Sequence, residues 1–300
     1  MIRKLSALLL AALLLCGCAA AEGTSGTITP LPIDFTPGYA PQEDGFDPVA
    51  LAYEDPSISV SISSGRRDGC DWWVATIRIA DASQLRTLSA GGFDSTSATA
   101  KGVNLAKQAN AVLAINGDYF CYNKDEGLTI RQGTVYKNLL KGNRDVLAID
   151  ANGDFHCYFC PNEDEVPTEV DGVPVVNAFY FGPVLVYEGK LIEKLNFNAF
   201  TSRVMVAGEK RQRMAICQSG PLEYKVVCCA APARGNKGMT LDQFGQLVVE
   251  QGVQTAYNLD GGDSTMLIFN YKKQNDVTSR DTRKIVDIIY FASAWNTEGE

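Results

Sequence analysis

The chain has a single histidine, His156, no second C-x-x-C to accompany Cys157-Tyr158-Phe159-Cys160, and no G-x-S-x-G turn. Each absence removes a chemistry. A Ser-His-Asp triad would have to be built on His156, which no nucleophile motif accompanies, so this residue is expected to be structural or superficial. A tetrahedral zinc site needs four soft ligands, and the adjacent Cys228 and Cys229 are poorly spaced to complete one begun by Cys157 and Cys160. No internal repeat is present either, which excludes solenoids and propellers.

Basic residues are also in short supply: 27 Lys and Arg stand against 35 Asp and Glu, a net charge of −8. A nucleic acid is therefore not expected as a general partner, because phosphate backbones recruit basic surfaces. An anionic substrate would need local arginines.

Long apolar runs are confined to the start. Met1 to Lys4 are followed by an eleven-residue run, LSALLLAALLL, shorter than the roughly 20 residues that span a bilayer. This is the form of a secretory signal, residues 1–17. Leu15, Gly17 and Cys18 resemble a bacterial lipobox, in which Cys18 carries lipid and becomes the first mature residue. An extracytoplasmic protein anchored to the bacterial cell membrane is the expectation, with ordinary cleavage after Ala19 to Ala21 as the alternative. Without Arg3 and Lys4 the mature chain has 25 basic and 35 acidic residues, a net charge of −10. Setting Cys16 and Cys18 aside leaves seven cysteines, an odd and irregular set from which few or no disulfides are expected.

Residues 18–53 are rich in Gly, Pro, Thr and acids without helical or strand period, and are read as a flexible tether. After them, Trp72 to Ile79 are β-branched and aromatic, and AVLAIN and VLAID are short apolar runs bounded by turn residues, as in buried strands. A short helix is predicted in TAKGVNLAKQAN. Leu128 to Tyr136 read as a hairpin about Gln132-Gly133, and Phe179 to Leu191 as strands broken by Gly-Pro and Glu-Gly. The clearest helix begins after Thr240, which with Gln243 forms a capping-box pair, and Gly252 is placed to end it. Together these predict one α+β domain, residues 54–296, with mainly β central sheets and a few flanking helices.

Two turns concentrate chemistry-bearing residues. In NLDGGDSTML, Asp260, Gly261, Gly262, Asp263, Ser264 and Thr265 lie between a predicted strand and the next, and glycines there let backbone N–H groups approach a ligand. In AINGDYF, Asn116, Gly117 and Asp118 emerge at a strand end beside aromatic rings able to cover a sugar face. Either cluster alone also suits an ordinary turn. Arg213 and Arg283, each entering a strand, are the candidates for anion binding, since guanidinium forks suit phosphate and carboxylate. Asp287, inside an apolar strand, is informative if it is buried. No motif demands a metal or cofactor. Asp118, Asp260 and Asp263 would suit Ca²⁺ or Mg²⁺ only if they converged.

AINGDYF, FGPVLVYEG, RMAI, KGMTLDQFGQLVVEQGVQTAYNLDGGDSTMLIFN and RKIVDIIYF, in this order, resemble the phosphodiester glycosidase family over about residues 53–295. The resemblance implies hydrolysis between a sugar's anomeric carbon and a phosphodiester oxygen, releasing a free sugar and a phosphomonoester. Cell-envelope or exopolysaccharide glycans are the implied substrates. The residues carried over are Asn116, Gly117, Asp118, Arg213, Asp260, Gly261, Gly262, Ser264, Thr265 and Arg283. Asp260 and Asp118 are expected to be catalytic, and the arginines to hold phosphate. Asp263 and Cys217 stand where the family often has glycine, which touches the shape of the site. The alternative is a surface module that binds anionic cell-wall glycan without turnover.

Overall fold

All strand pairs among the described residues are antiparallel. The computed structural model describes residues 25–94, 98–122, 124–195, 206–275 and 283–297. A nine-stranded sheet has at its centre the strands Met214–Gly220, Glu223–Cys229, Cys70–Ile79 and Ile58–Arg67. A five-stranded sheet runs Lys272–Lys273, Leu267–Phe269, Ala111–Asn116, Asp287–Ala292, Leu85–Ser89. A six-stranded sheet contains Val146–Asp150, Val173–Phe179, Gly127–Arg131 and Thr134–Leu139.

The core lies where the three sheets meet. Along Ile58–Arg67, Ile58, Val60 and Ile62 are buried while Ser59, Ser61 and Ser63 alternate with them on the other face. They pack into one cluster with Leu113, Ile115, Ile289 and Phe291 of the five-stranded sheet and Leu147, Ile149 and Phe179 of the six-stranded one. Each such side chain contributes about 1.5–3 kcal/mol when fully buried.

The two α-helices of the described residues cover outer faces. Leu241–Val249 starts at the predicted capping box: the Gln243 N–H donates to Thr240 Oγ1 at 3.2 Å, and the Thr240 N–H to Gln243 Oε1 at 3.1 Å. Its Leu241, Phe244, Leu247 and Val248 are buried against Val74, Ala215 and Val227 of the nine-stranded sheet. Gly102–Gln108 packs on the five-stranded sheet, and a Cβ at Gly102 would lie 2.9 Å from Met266 Sδ and 3.0 Å from Ile268 Cδ1. Glycine there sets how closely helix and sheet approach. The fold is α+β and mainly β, as predicted.

The predicted signal and Cys18 lie outside the described residues. The expected tether departs from its expectation from Ser25 onward. Thr27–Ile28 pairs with Trp295–Asn296, Leu31 is buried, and Phe46–Asp47 joins the edge of the nine-stranded sheet through Ala52–Asp55. The reason is that its backbone carbonyls find buried donors in the domain, described below. His156 lies half-buried on Phe155–Tyr158 with Nε2 2.9 Å from Asp150 Oδ2. Cys70, Cys121, Cys157, Cys160, Cys217, Cys228 and Cys229 are all unbridged.

Candidate active site

The two turns singled out in the sequence meet at one cleft, joined by Asn116. Leu267–Phe269 and Asp287–Ala292 flank Ala111–Asn116, with Leu267 opposite Ile115 and Ile288 opposite Asn116. At the end of that central strand Asn116 Nδ2 donates to the Asp260 carbonyl at 2.7 Å and to the Gly117 carbonyl at 3.1 Å. Its Oδ1 accepts from the Met266 N–H at 3.1 Å. Asn116 is thus a strut between the turns, buried and committed to backbone.

The cleft encloses about 260 Å³ and is lined by Asn116, Gly117, Tyr119, Cys121, Asp260, Ser264, Arg283, Lys284 and Asp287, among others. Carboxylates form its floor. Arg283 and Lys284, both exposed, stand at its mouth, and the Arg283 guanidinium lies 6.0 Å from the centre of the Tyr119 ring.

Asp287 is buried, and among the described residues neither carboxylate oxygen has a hydrogen-bond partner. Its nearest cation is Arg131, with Nη2 3.7 Å from Oδ2, too long for a hydrogen bond. Burial first, and then the negative charge of Asp118 and Asp260, push its pKa up to about 8, with Arg131 pulling the other way. The room for this carboxylate exists because residue 117 is glycine: a Cβ there would fall 2.1 Å from Asp287 Oδ2.

Asp260 is partly exposed at the cleft floor, but protein atoms crowd it on all other sides. Burial pushes its pKa up to about 6, offset by the Ser264 hydroxyl, Arg283 and the Gly261 N–H, which donates to Oδ1 at 2.9 Å. Two neighbouring carboxylates whose pKa values are driven apart make an acid and a base available at neutral pH.

Asp118, expected to be catalytic, turns away from the cleft. Its Oδ1 accepts from Arg131 Nη2 at 2.7 Å and its Oδ2 from the Tyr180 N–H at 2.8 Å, so both oxygens are engaged. Arg131 is the residue that sequence reasoning missed. It is fully buried between the rings of Phe179, 4.4 Å from its Cζ, and Phe93, 5.3 Å away, and its Nη1 donates to the carbonyls of Ile130 and Ala178. An arginine closing an apolar strand, GLTIR, was the available signal.

Arg213 is close by but occupied. Its Nη2 donates to the carbonyls of Val206 at 3.0 Å and Glu209 at 2.9 Å, and its Nε to that of Met239 at 3.3 Å. Burial pulls its pKa down to about 10. It lines an adjoining cleft of about 200 Å³ with Arg211, Gly261 and Gly262, and Asp260 borders both clefts. The two arginines therefore do not share one cradle, and Arg213 serves first to hold the chain around Val206 and Glu209.

The glycines have separate causes. Gly261 comes so close to Gln212 that a Cβ would meet its carbonyl at 2.8 Å, and the Gly262 N–H donates to that same oxygen at 2.8 Å. Gly262 has φ +58°, in the left-handed region. Asp263 and Ser264 form a 3-10 turn with it. Thr265 is buried with its hydroxyl unpartnered, while its carbonyl accepts from Asn275 Nδ2 at 3.0 Å. Asp118, Asp260 and Asp263 do not gather as ion ligands: no group of three or more His, Cys, Asp or Glu side chains among the described residues is placed to hold a metal.

Comparison with known proteins bears on this geometry. The fold is similar to the catalytic domain of zebrafish N-acetylglucosamine-1-phosphodiester alpha-N-acetylglucosaminidase, auto-inhibited by pro-peptide, at 17% identity and TM-score 0.62, covering 85% of this chain and 87% of that one. It is also similar to a hypothetical protein from Synechocystis, at 17% identity and TM-score 0.50 over 78% and 62% of the two chains. A protein of Burkholderia pseudomallei K96243 matches at 13% identity and TM-score 0.53 over 74% of each. None of the curated proteins compared matches. The family model for phosphodiester glycosidase matches residues 109–292, a span that holds every residue of the cleft floor. The chain belongs to the phosphodiester glycosidase family.

Proposed function

We propose that the protein hydrolyses a sugar-1-phosphodiester between the anomeric carbon and the phosphodiester oxygen, releasing free sugar and a phosphomonoester. The observation that carries this is the pair of carboxylates on one cleft floor, Asp260 facing the cleft and Asp287 buried without a hydrogen-bond partner among the described residues, beneath an exposed arginine. Arg283 at the mouth holds the phosphate. Asp260, ionised above about pH 6, acts on the anomeric side, stabilising positive charge as the bond breaks and directing water or attacking itself. Asp287 keeps its proton at neutral pH and delivers it to the departing phosphate oxygen. The departing phosphomonoester is already a good leaving group, so positioning and charge stabilisation carry most of the rate.

Asp118 is assigned a supporting role in place of the catalytic one expected for it. It neutralises Arg131 and leaves Asp287 without a hydrogen-bonding cation. The cleft beyond Asp260, lined by Arg211 and Arg213, gives the substrate room on the other side of the scissile bond. The substrates are cell-envelope or exopolysaccharide sugar phosphates met outside the cytoplasm, with the protein held at the bacterial cell membrane through lipid on Cys18. A module that only binds anionic glycan would need Arg283 but not a buried, proton-retaining carboxylate, and this favours turnover.

The test is incubation of the purified protein with a panel of sugar-1-phosphodiesters, with separate assay of free sugar and phosphomonoester. Equal release of both from at least one substrate is expected. Binding without product after long incubation would establish the glycan-binding module instead.

A further inference from the structure

The arm formed by residues 30–36 has no regular structure, yet a fully buried cation is committed to it. Arg86 Nη1 donates to the Pro32 carbonyl at 2.9 Å, and Nη2 to the carbonyls of Asp34 at 2.8 Å and Thr36 at 2.9 Å. Its Nε donates to Tyr290 Oη at 3.2 Å, on the strand that carries Asp287. Gln132, which follows Arg131, donates from Nε2 to the Asp34 carbonyl at 2.8 Å. A buried guanidinium deprived of these acceptors would be costly, so the arm is an obligate part of the domain.

Between the bound carbonyls the arm presents Phe35. Its ring centre lies 5.5 Å from that of Phe93, and Phe93 in turn covers Arg131 and lies 5.1 Å from Phe120. Phe120 sits between the cleft residues Tyr119 and Cys121, and Val286, packed in the same cluster, precedes Asp287. A continuous set of contacts therefore runs from the arm to both carboxylates that flank Arg131.

We propose that Phe35 and Arg86 are positioning residues of the active site: the docked arm seats Phe93 on Arg131, and so fixes Asp287 and Asp118 in the geometry used for sugar-phosphate cleavage. The proposal rests on the hydrolase reading above. The arm acts through ring packing, without touching substrate. Phe35 is 37% exposed, so its replacement removes the ring contact without opening the core.

The test uses the full mature chain with Phe35→Ala and Phe35→Tyr, read by kcat, KM and backbone amide exchange. Phe35→Ala is expected to lower kcat roughly tenfold or more, since small displacements of reacting groups cost rate steeply, with KM within about twofold. Exchange in Gly127–Arg131 and Asp287–Ala292 should quicken about tenfold while Glu223–Cys229 is unchanged. Phe35→Tyr, which keeps the ring, should restore both. A merely structural arm would lower the folded fraction and leave kcat per folded molecule at the wild-type value, and that result, or unaltered exchange beside the site, overturns the proposal. If Phe35→Ala does not fold, Phe35→Leu, which keeps bulk but not the ring, replaces it with the same expectations. If the wild-type protein releases no sugar from any diester, the hydrolase reading fails, and the exchange data alone decide whether the arm positions Arg131.

Discussion

Asn116-Gly117-Asp118 and Asp260-Gly261-Gly262 each follow a buried strand and each set a carboxylate beside glycine, yet the first turns its carboxylate into the protein and the second turns it to the cleft. Arg131 causes the difference. It takes both the charge and one oxygen of Asp118, while the Tyr180 N–H takes the other. Asp260 makes no ion pair with a buried cation among the described residues and is bonded by its own turn and Ser264. On the proposed mechanism, similar letters at a strand end therefore mark one residue that supports the site and one that works in it. The carboxylate that joins Asp260 comes from neither turn but from the first residue of the neighbouring strand, Asp287–Ala292.

This contrast can be broken by mutation. Asp260→Asn should reduce sugar release by about a thousandfold, the range of a lost acid or base, with the thermal midpoint little changed. Asp118→Asn should chiefly reduce stability, by about 3–5 kcal/mol in denaturant titration, because it leaves buried Arg131 without its ion-pair partner. Full activity in Asp260→Asn, or an inactive Asp118→Asn of wild-type stability, would reverse the two roles.

The next effect in size belongs to Gly117. In Gly117→Ala the new methyl must displace the Asp287 carboxylate, and kcat should fall roughly a hundredfold. Retained activity, with Asp287 in place by crystallography, would show that its position is not critical.

A smaller effect is expected from pH. Both cleft carboxylates have folded pKa values, about 6 and about 8, above the ordinary value of about 4. The folded protein then holds their protons where the unfolded chain has lost them. Their contribution to stability is complete below about pH 4 and is lost as pH rises through about 6 and then about 8. Asp287→Asn should flatten the upper part of that decline in the thermal midpoint. An unchanged slope would deny the raised value. Smallest of all, Asp263→Gly should alter kcat and KM by less than about twofold, since Asp263 lines neither cleft; surface substitutions of this kind cost little.

Strands Ala111–Asn116 and Val146–Asp150 were legible in the sequence because each is a short apolar run bounded by turn residues and buried on both faces. The helix after Thr240 was legible because its cap is written in adjacent letters. The dual identity of the two aspartates was not, because it depends on Arg131, whose neighbours come from Phe93, Phe179 and Asp118 on separate segments. Asp287 was visible as a charged residue in an apolar strand, but its lack of a hydrogen bond follows from pairings that no local pattern records. The docked arm was illegible for a different reason. Arg86 holds its carbonyls, and carbonyls are the same in every sequence.

The Asn116 strut joins residues 144 positions apart, and the strand of Asp287 pairs with the strand of Asn116 across a still longer loop. Contacts of such sequence separation are made late in folding, after long loops have closed. The Asp260 turn and the strand of Asp287 are both fastened to Asn116, so the cleft is assembled only once the strand ending at Asn116 is in place. In the proposed hydrolase, activity therefore reports the finished fold.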